Sequence, residues 1–86
     1  MHVSTSPIRE KVKGVMAATF HVPADQIPDD ASPETVKGWA SLGHIELMLA
    51  LEMEFGVSLP TEKIIDLVSL SAIEDFLRDG AGAGGT

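Results

Sequence analysis

Apolar residues recur every three or four positions along much of the chain, a spacing that places them on one face of an α-helix. The first such series precedes a long polar stretch and comprises Ile8, Val12, Val15, Met16 and Phe20. Ser6 and Pro7 stand just before it, and these residue types are favoured at the N-cap and at the first helical position. The pattern predicts a first helix that begins at Pro7 and ends near Phe20.

A long loop is predicted to follow the first helix. Residues 21–40 contain three prolines, three aspartates and one glycine. Such a composition allows at most one helical turn, begun by Ser32 and Pro33. A loop of this length in a small domain is usually functional or held in place by buried anchors. Four apolar side chains are the candidate anchors: Val22, Ile27, Val36 and Trp39.

Three more helices are predicted after the loop. The second runs from Ser41 to Phe55 and ends at Gly56, a residue type favoured just after a helix. Thr61 is expected to cap a short third helix, and Ser69 is expected to cap the fourth. The core face of the fourth helix consists of Leu70, Ile73, Phe76 and Leu77.

The predicted fold class is all-α, because no stretch alternates apolar and polar residues for long enough to form a strand. The architecture expected is a small four-helix bundle of three main helices plus a short third helix, with a long loop between helices 1 and 2. One domain is predicted over residues 6–79, with flexible termini at residues 1–5 and 80–86, where glycine and small residues predominate.

The second helix has two apolar faces. At about 100° per residue, one face holds Leu47, Met48, Leu51 and Phe55, which is the natural core face. The opposite face holds what we call the apolar stripe, Leu42, Leu49 and Met53, with Glu46 on one edge and Ile45 and Glu52 on the other. Either the long loop covers the apolar stripe, or the stripe is exposed and docks another protein.

Charge and composition narrow the classes of function. The chain has 86 residues, and six Lys and Arg against 13 Asp and Glu give a net charge of −7. Such a protein would repel nucleic acid and anionic membranes, and basic proteins are its expected partners. There is no cysteine, which excludes disulfides and thiolate metal sites. With no apolar run long enough for a membrane span, the chain is expected to be soluble and cytoplasmic. It is also expected to be a monomer.

Ser41 is the main candidate for a chemical role. It stands at the start of the second helix, where backbone N–H groups and the helix dipole suit a phosphate, although serine is also a favoured N-cap residue. His44 follows three residues later, but no nucleophile elbow, orienting carboxylate or oxyanion hole accompanies the pair. We therefore expect no enzyme, and His44 is expected to be a surface or helix-start residue. His2 and His21 are too isolated to predict a metal site.

The segment GWASLGHIELMLALEMEFGVSLP, residues 38–60, resembles the core of acyl carrier proteins and the related peptidyl carrier domains. The resemblance extends over residues 7–78 and includes the long first loop and the short third helix. Its specific part is Ser-Leu after a long loop, followed by E-L-x-x-x-L-E-x-E-F-G and then L-P. One position departs from the family's Asp-Ser-Leu signature, because Ala40 replaces the aspartate.

The resemblance implies a covalent cofactor and a set of partners. Ser41 would carry 4′-phosphopantetheine, donated from coenzyme A and attached through a phosphodiester, whose thiol holds cargo as a thioester. The partner-binding residues would be Leu42, Glu46, Leu49, Glu52 and Met53. The partners implied are a phosphopantetheinyl transferase and acyl-loading and acyl-processing enzymes with basic docking patches. Candidate residues to line an acyl chain are Ile64, Ile65 and Leu67, which would otherwise be core residues.

The function implied is that of a free-standing acyl carrier protein of fatty acid, polyketide or related specialised biosynthesis. Two alternatives stay open: a peptidyl or aminoacyl carrier, and an interaction module in which Ser41 is only a helix cap. The missing aspartate at position 40 is expected to make modification of Ser41 slower or more selective.

Overall fold

Four α-helices occur in the predicted order in the computed structural model, which describes residues 7–81. They are α1 (Pro7–Phe20), α2 (Ser41–Phe55), α3 (Thr61–Asp66) and α4 (Leu70–Asp75). The described residues contain no strand, so the all-α prediction is confirmed. None of the helices within residues 7–81 is both long and apolar enough to cross a membrane.

Two short helical segments were not predicted. A single 3₁₀ turn, Ala24–Gln26, lies within the long loop, and a π-helical segment, Phe76–Ala81, continues α4. The predicted cap Ser6, the predicted flexible residues 1–5 and residues 82–86 of the predicted C-terminal tail all lie outside the described residues.

Of the three predicted capping residues that the structure describes, two are confirmed and one is wrong. Gly56 ends α2 in the left-handed conformation, with φ 64°, and its N–H bonds to the carbonyl of Glu52. The Ser69 hydroxyl caps α4 by accepting the N–H of Ala72 at 3.0 Å. The predicted cap Thr61 is wrong, because Pro60 occupies the N-cap of α3 in extended conformation and Thr61 is the first helical residue.

The core is built mainly from α1, α2, α4 and the loop, and α3 contributes only the half-buried Ile64. α1 packs against α2 and α4, and the α2 face predicted for the core is buried at Leu47, Met48 and Leu51, while Phe55 is half-buried. The largest of the completely or almost completely buried side chains are Val12, Met16, Trp39, Leu47, Met48, Leu51, Leu70 and Ile73.

The long loop is held by the anchors that its sequence predicts. Ile27, Val36 and Trp39 are buried, and Val22 is half-buried against the core. Ala31 is a further buried anchor that was not predicted, and its carbonyl accepts the N–H of Leu70 at 2.9 Å. These contacts fix the loop immediately before Ser41.

Ion pairs attach the loop and α4 to α1. Arg9 donates to the buried carboxylate of Glu74 at 2.8 Å and lies 3.5 Å from Asp29, which also pairs with Lys13 at 2.7 Å. The hydrogen bond to Glu74 is the main cause of a raised pKa for Arg9. The hydrogen bond from Lys13 is the main cause of a lowered pKa for Asp29. Two of the three basic side chains of α1 are therefore ion-paired, and the third, Lys11, lies over the Phe55 ring at 5.0 Å from its centroid.

Candidate functional site

Ser41 is the first residue of α2, and its side chain is exposed to solvent. Ala40 occupies the N-cap position in extended conformation, with φ −149° and ψ 156°, and supplies no side-chain hydrogen bond to the helix. Within residues 7–81, the Ser41 hydroxyl makes no hydrogen bond. The interpretation of Ser41 as a helix cap is therefore not supported, and its hydroxyl points to solvent at a helix N-terminus.

The start of α2 suits an attached phosphate. The first N–H groups of a helix have no partners within the helix and carry partial positive charge. The N–H of His44 is the first to bond, to the carbonyl of Ala40 at 3.2 Å. No side chain at Ala40 competes for the earlier N–H groups, so a phosphodiester on Ser41 would find donors beside it.

His44 lies in the first turn of α2, as expected for a helix-start residue, but it is half-buried and not a surface residue. Its Nδ1 accepts the indole N–H of Trp39 at 2.8 Å, and its Nε2 lies 2.7 Å from the carbonyl oxygen of Ile64. With both ring nitrogens engaged, the imidazole has no nitrogen left to accept the Ser41 proton. The described residues also contain no group of three or more His, Asp or Glu side chains arranged to hold a metal ion.

Two glycines bring the loop close to the first turn of α2. A Cβ atom at Gly43 would lie 1.9 Å from the carbonyl oxygen of Gly38, so only glycine allows this approach. Gly38 itself has φ 94°, a conformation that favours glycine. The Phe20 ring lies against Gly38 and stacks on Trp39 with the ring centroids 6.1 Å apart. The sequence reasoning missed this contact, although the two glycines that flank Ser41 were its signal.

The apolar stripe is exposed. Leu42 is 69% exposed, Leu49 56% and Met53 86%, and the neighbouring Ile45 is also exposed. The interpretation in which the loop covers the stripe is wrong, because the loop's anchors are buried in the core. Glu46 is exposed beside the stripe. α2 contains three glutamates and no lysine or arginine, so this surface is acidic as well as apolar.

Glu52 is placed differently from Glu46. Its carboxylate accepts the backbone N–H of Leu59 at 2.7 Å, and the side chain is half-buried. One of the two predicted edge acids therefore stabilises the connection between α2 and α3.

The three residues proposed to line an acyl chain do not lie together. Leu67 is buried in the core, Ile64 is half-buried against it, and Ile65 is 69% exposed. An open groove of about 360 Å³ lies elsewhere, between α1 and α2, where Val15 and Ala50 contribute to its lining.

Comparison with known proteins identifies the family. No protein-family model matches the chain. The acyl carrier protein of Thermosynechococcus vestitus is 33% identical over 81 residues, which cover 94% of this chain and 100% of that protein. The aligned region covers nearly the whole chain and therefore includes the segment around Ser41. By this relationship, the chain belongs to the acyl carrier protein family.

Proposed function

We propose that this protein is an acyl carrier that holds acyl groups as thioesters on 4′-phosphopantetheine attached to Ser41. One observation carries the proposal: in a member of this family, Ser41 presents an exposed hydroxyl with no hydrogen bond among the described residues, at the start of α2. The carrier role agrees with the expectation that the chain is not an enzyme, since acyl carrier proteins present substrates to enzymes.

Attachment would proceed by transfer from coenzyme A on a phosphopantetheinyl transferase. The Ser41 oxygen forms a bond to the phosphorus that carries pantetheine, and the bond from that phosphorus to adenosine 3′,5′-bisphosphate breaks. The serine proton passes to a base of the transferase. The N–H groups at the start of α2 would stabilise the resulting phosphodiester. When bound, the group supplies a thiol, which the chain lacks because it has no cysteine.

The surface beside Ser41 suits docking by basic proteins. Leu42 lies next to Ser41 in the chain, and the apolar stripe continues along α2 through Leu49 to Met53. Leucine and methionine give adaptable contacts, and the glutamates of α2 attract basic surfaces and set their orientation. The transferase and the acyl-loading and acyl-processing enzymes are the partners that we propose for this surface. In this arrangement Glu46 contributes its charge alone, while Glu52 is also engaged with Leu59.

The acyl chain is proposed to lie along the region between α2 and α3. Ile64 and Leu67 are the members of the proposed lining that contact the core, so separating α3 slightly from α2 would expose both. Ile65 faces solvent, and it would reach an acyl chain only at the outer edge of this region.

Mass spectrometry of the intact protein tests the attachment. Incubation of the full chain with coenzyme A and a broad-specificity transferase should add the mass of one phosphopantetheinyl group. Ser41→Ala should add none, and Ser58→Ala, which removes an exposed serine after α2, should be modified like the wild type. Absence of any mass gain with several transferases would contradict the proposal. The mass of the cargo on protein isolated from its source would then distinguish fatty acyl, polyketide and aminoacyl groups.

A further inference from the structure

His44 joins two parts of the molecule through its two ring nitrogens. An indole N–H can only donate, so the 2.8 Å bond from Trp39 makes Nδ1 of His44 the acceptor. The proton of the neutral imidazole must then be on Nε2, which donates to the carbonyl oxygen of Ile64 at 2.7 Å. One tautomer of one side chain satisfies both partners.

The hydrogen bond between Trp39 and His44 spans the turn that contains Ser41. Trp39 precedes the serine by two residues and His44 follows it by three, so their hydrogen bond closes the chain around it. Ser41 has φ 28°, in the left-handed region that is unfavourable for residues with a Cβ. Such a conformation persists only where neighbouring contacts hold it. Since Ala40 provides no cap, the Trp39–His44 bond is the side-chain contact that spans this turn.

The Ile64 end of the arrangement holds α3. α3 is six residues long and packs little against the other helices. The carbonyl of Ile64 belongs to its last turn, where helical carbonyls lack partners within the helix. The N–H that would normally reach it, that of Val68, bonds to Asp66 at 2.9 Å instead. His44 therefore supplies a partner to a carbonyl that α3 leaves open.

We propose that His44 is a positioning residue for Ser41, and that its neutral Nε2–H tautomer fixes both the strained turn at the serine and the place of α3 beside it. The consequence for modification of Ser41 rests on the proposed function, whereas the tautomer and its two hydrogen bonds do not. A transferase that binds the start of α2 and α3 together would then meet one preformed surface rather than two independent ones.

Nuclear magnetic resonance of the uniformly ¹⁵N-labelled full chain tests the tautomer without any cofactor. At neutral pH, Nδ1 of His44 should show the shift of an unprotonated nitrogen and Nε2 that of a protonated one. The indole N–H of Trp39, the only tryptophan, should exchange with solvent at least about tenfold more slowly than in the unfolded chain. A proton on Nδ1, or indole exchange at the unfolded rate, would overturn the proposal.

Two substitutions test the positioning role. His44→Leu keeps a large side chain but removes both hydrogen bonds, while His44→Gln offers an amide oxygen as acceptor and an amide N–H as donor. We expect His44→Leu to speed amide exchange in α3 and to lower kcat/KM for modification of Ser41, each by about tenfold. His44→Gln should recover a measurable part of both effects.

A core variant separates positioning from general stability. Ile73→Val removes one methylene from the buried face of α4 and leaves the Trp39–His44–Ile64 contacts in place. If His44→Leu changes α3 exchange and kcat/KM no more than Ile73→Val does, the positioning role is wrong. If the wild type is not modified at all, the proposed function fails, while the tautomer and the α3 exchange still decide the role of His44.

Discussion

The Glu52 residue binds the segment that follows α2 through both its side chain and its main chain. The carboxylate accepts the N–H of Leu59 at 2.7 Å, and the carbonyl accepts the N–H groups of Gly56 and Val57. This residue therefore determines how the chain leaves α2 and reaches α3. Its position at the edge of the apolar stripe is only part of its role.

Replacing Glu52 should reduce stability in a way that depends on the acceptor oxygen. Glu52→Ala leaves the N–H of Leu59 without its carboxylate partner, so we expect the free energy of unfolding to fall by about 1–2 kcal/mol. Glu52→Gln keeps an acceptor oxygen and should lose less. Glu46→Ala on the same helix is the control, because that side chain is exposed, and chemical denaturation should leave it near the wild type. Equal losses for Glu46→Ala and Glu52→Ala would contradict the structural role of Glu52.

Removing the charge of Glu46 should weaken docking. Glu46→Gln takes one negative charge from beside the apolar stripe, so binding to the transferase should weaken by about twofold to tenfold, chiefly through slower association. Glu10→Gln removes an equally exposed charge from α1 and is the matched control. The difference between the two variants, measured by surface plasmon resonance, should shrink as salt is added. Identical association rates for both variants would place the docking surface elsewhere.

Alanine substitutions at Gly43 and Gly14 should change the free energy of unfolding in opposite directions. Gly43→Ala would place a Cβ atom 1.9 Å from the Gly38 carbonyl, so the loop before Ser41 must move and stability should fall. Gly14 lies in α1 with nothing within 4 Å of an added Cβ. Gly14→Ala should therefore raise the free energy of unfolding by about 0.5–1 kcal/mol, the usual gain in a helix interior. Thermal unfolding of both variants checks the pair, and a stable Gly43→Ala would show that the close approach is not required.

Adding an aspartate at position 40 should both stabilise α2 and speed modification of Ser41. Ala40 already has the extended backbone of an N-cap residue, so Ala40→Asp should gain about 1 kcal/mol from capping. Ala40→Asn caps without a charge and separates the two effects. If the aspartate acts through a contact with the transferase, only Ala40→Asp should raise kcat/KM for modification. An equal increase in both variants would assign the effect to capping alone.

Acid should weaken the attachment of the long loop to α1. Lys13 holds the pKa of Asp29 below its ordinary value of 3.8, so the native state favours the ionised carboxylate. The resulting stabilisation is complete above that ordinary value and disappears as the pH falls through the lower, native pKa. The stability difference between the wild type and Asp29→Asn should therefore shrink below about pH 4. Asp30→Asn controls for the loss of one loop charge, and unfolding curves collected across this range check the trend.

Much of the fold could be predicted from the sequence because its determinants are local. Apolar spacing located the core faces, and the φ 64° of Gly56 and the cap at Ser69 follow from residue type alone. Thr61 failed as a cap because the helix begins one residue earlier than predicted: the carbonyl of Pro60 already accepts the N–H groups of Lys63 and Ile64, so Thr61 lies inside the helix. The exposure of the apolar stripe needed the structure, since it depends on where the loop anchors are buried.

The contacts around Ser41 could not be predicted for a different reason. The Trp39–His44–Ile64 series joins residues up to 25 positions apart through specific polar atoms, and periodicity carries no information about such bonds. The Glu52–Leu59 bond and the Gly38–Gly43 approach are likewise set by tertiary geometry. The resemblance implies an attachment point at Ser41, which stays a prediction, but the sequence did not indicate what holds the backbone there.

The two longest helices differ in the sign of their summed side-chain charge. α1 has three basic residues and one acid, a sum of +2, whereas α2 has three acids and no base, a sum of −3. Arg9 and Lys13 of α1 are paired with Glu74 and Asp29, whereas α2 has no base beside its glutamates, so of these two packed helices α2 is the more negative. A basic protein within about one Debye length, roughly 8–10 Å, would therefore be attracted to the α2 side more than to the α1 side. For the docking that we propose on the apolar stripe, this attraction would bring α2 toward its partner before the two surfaces touch.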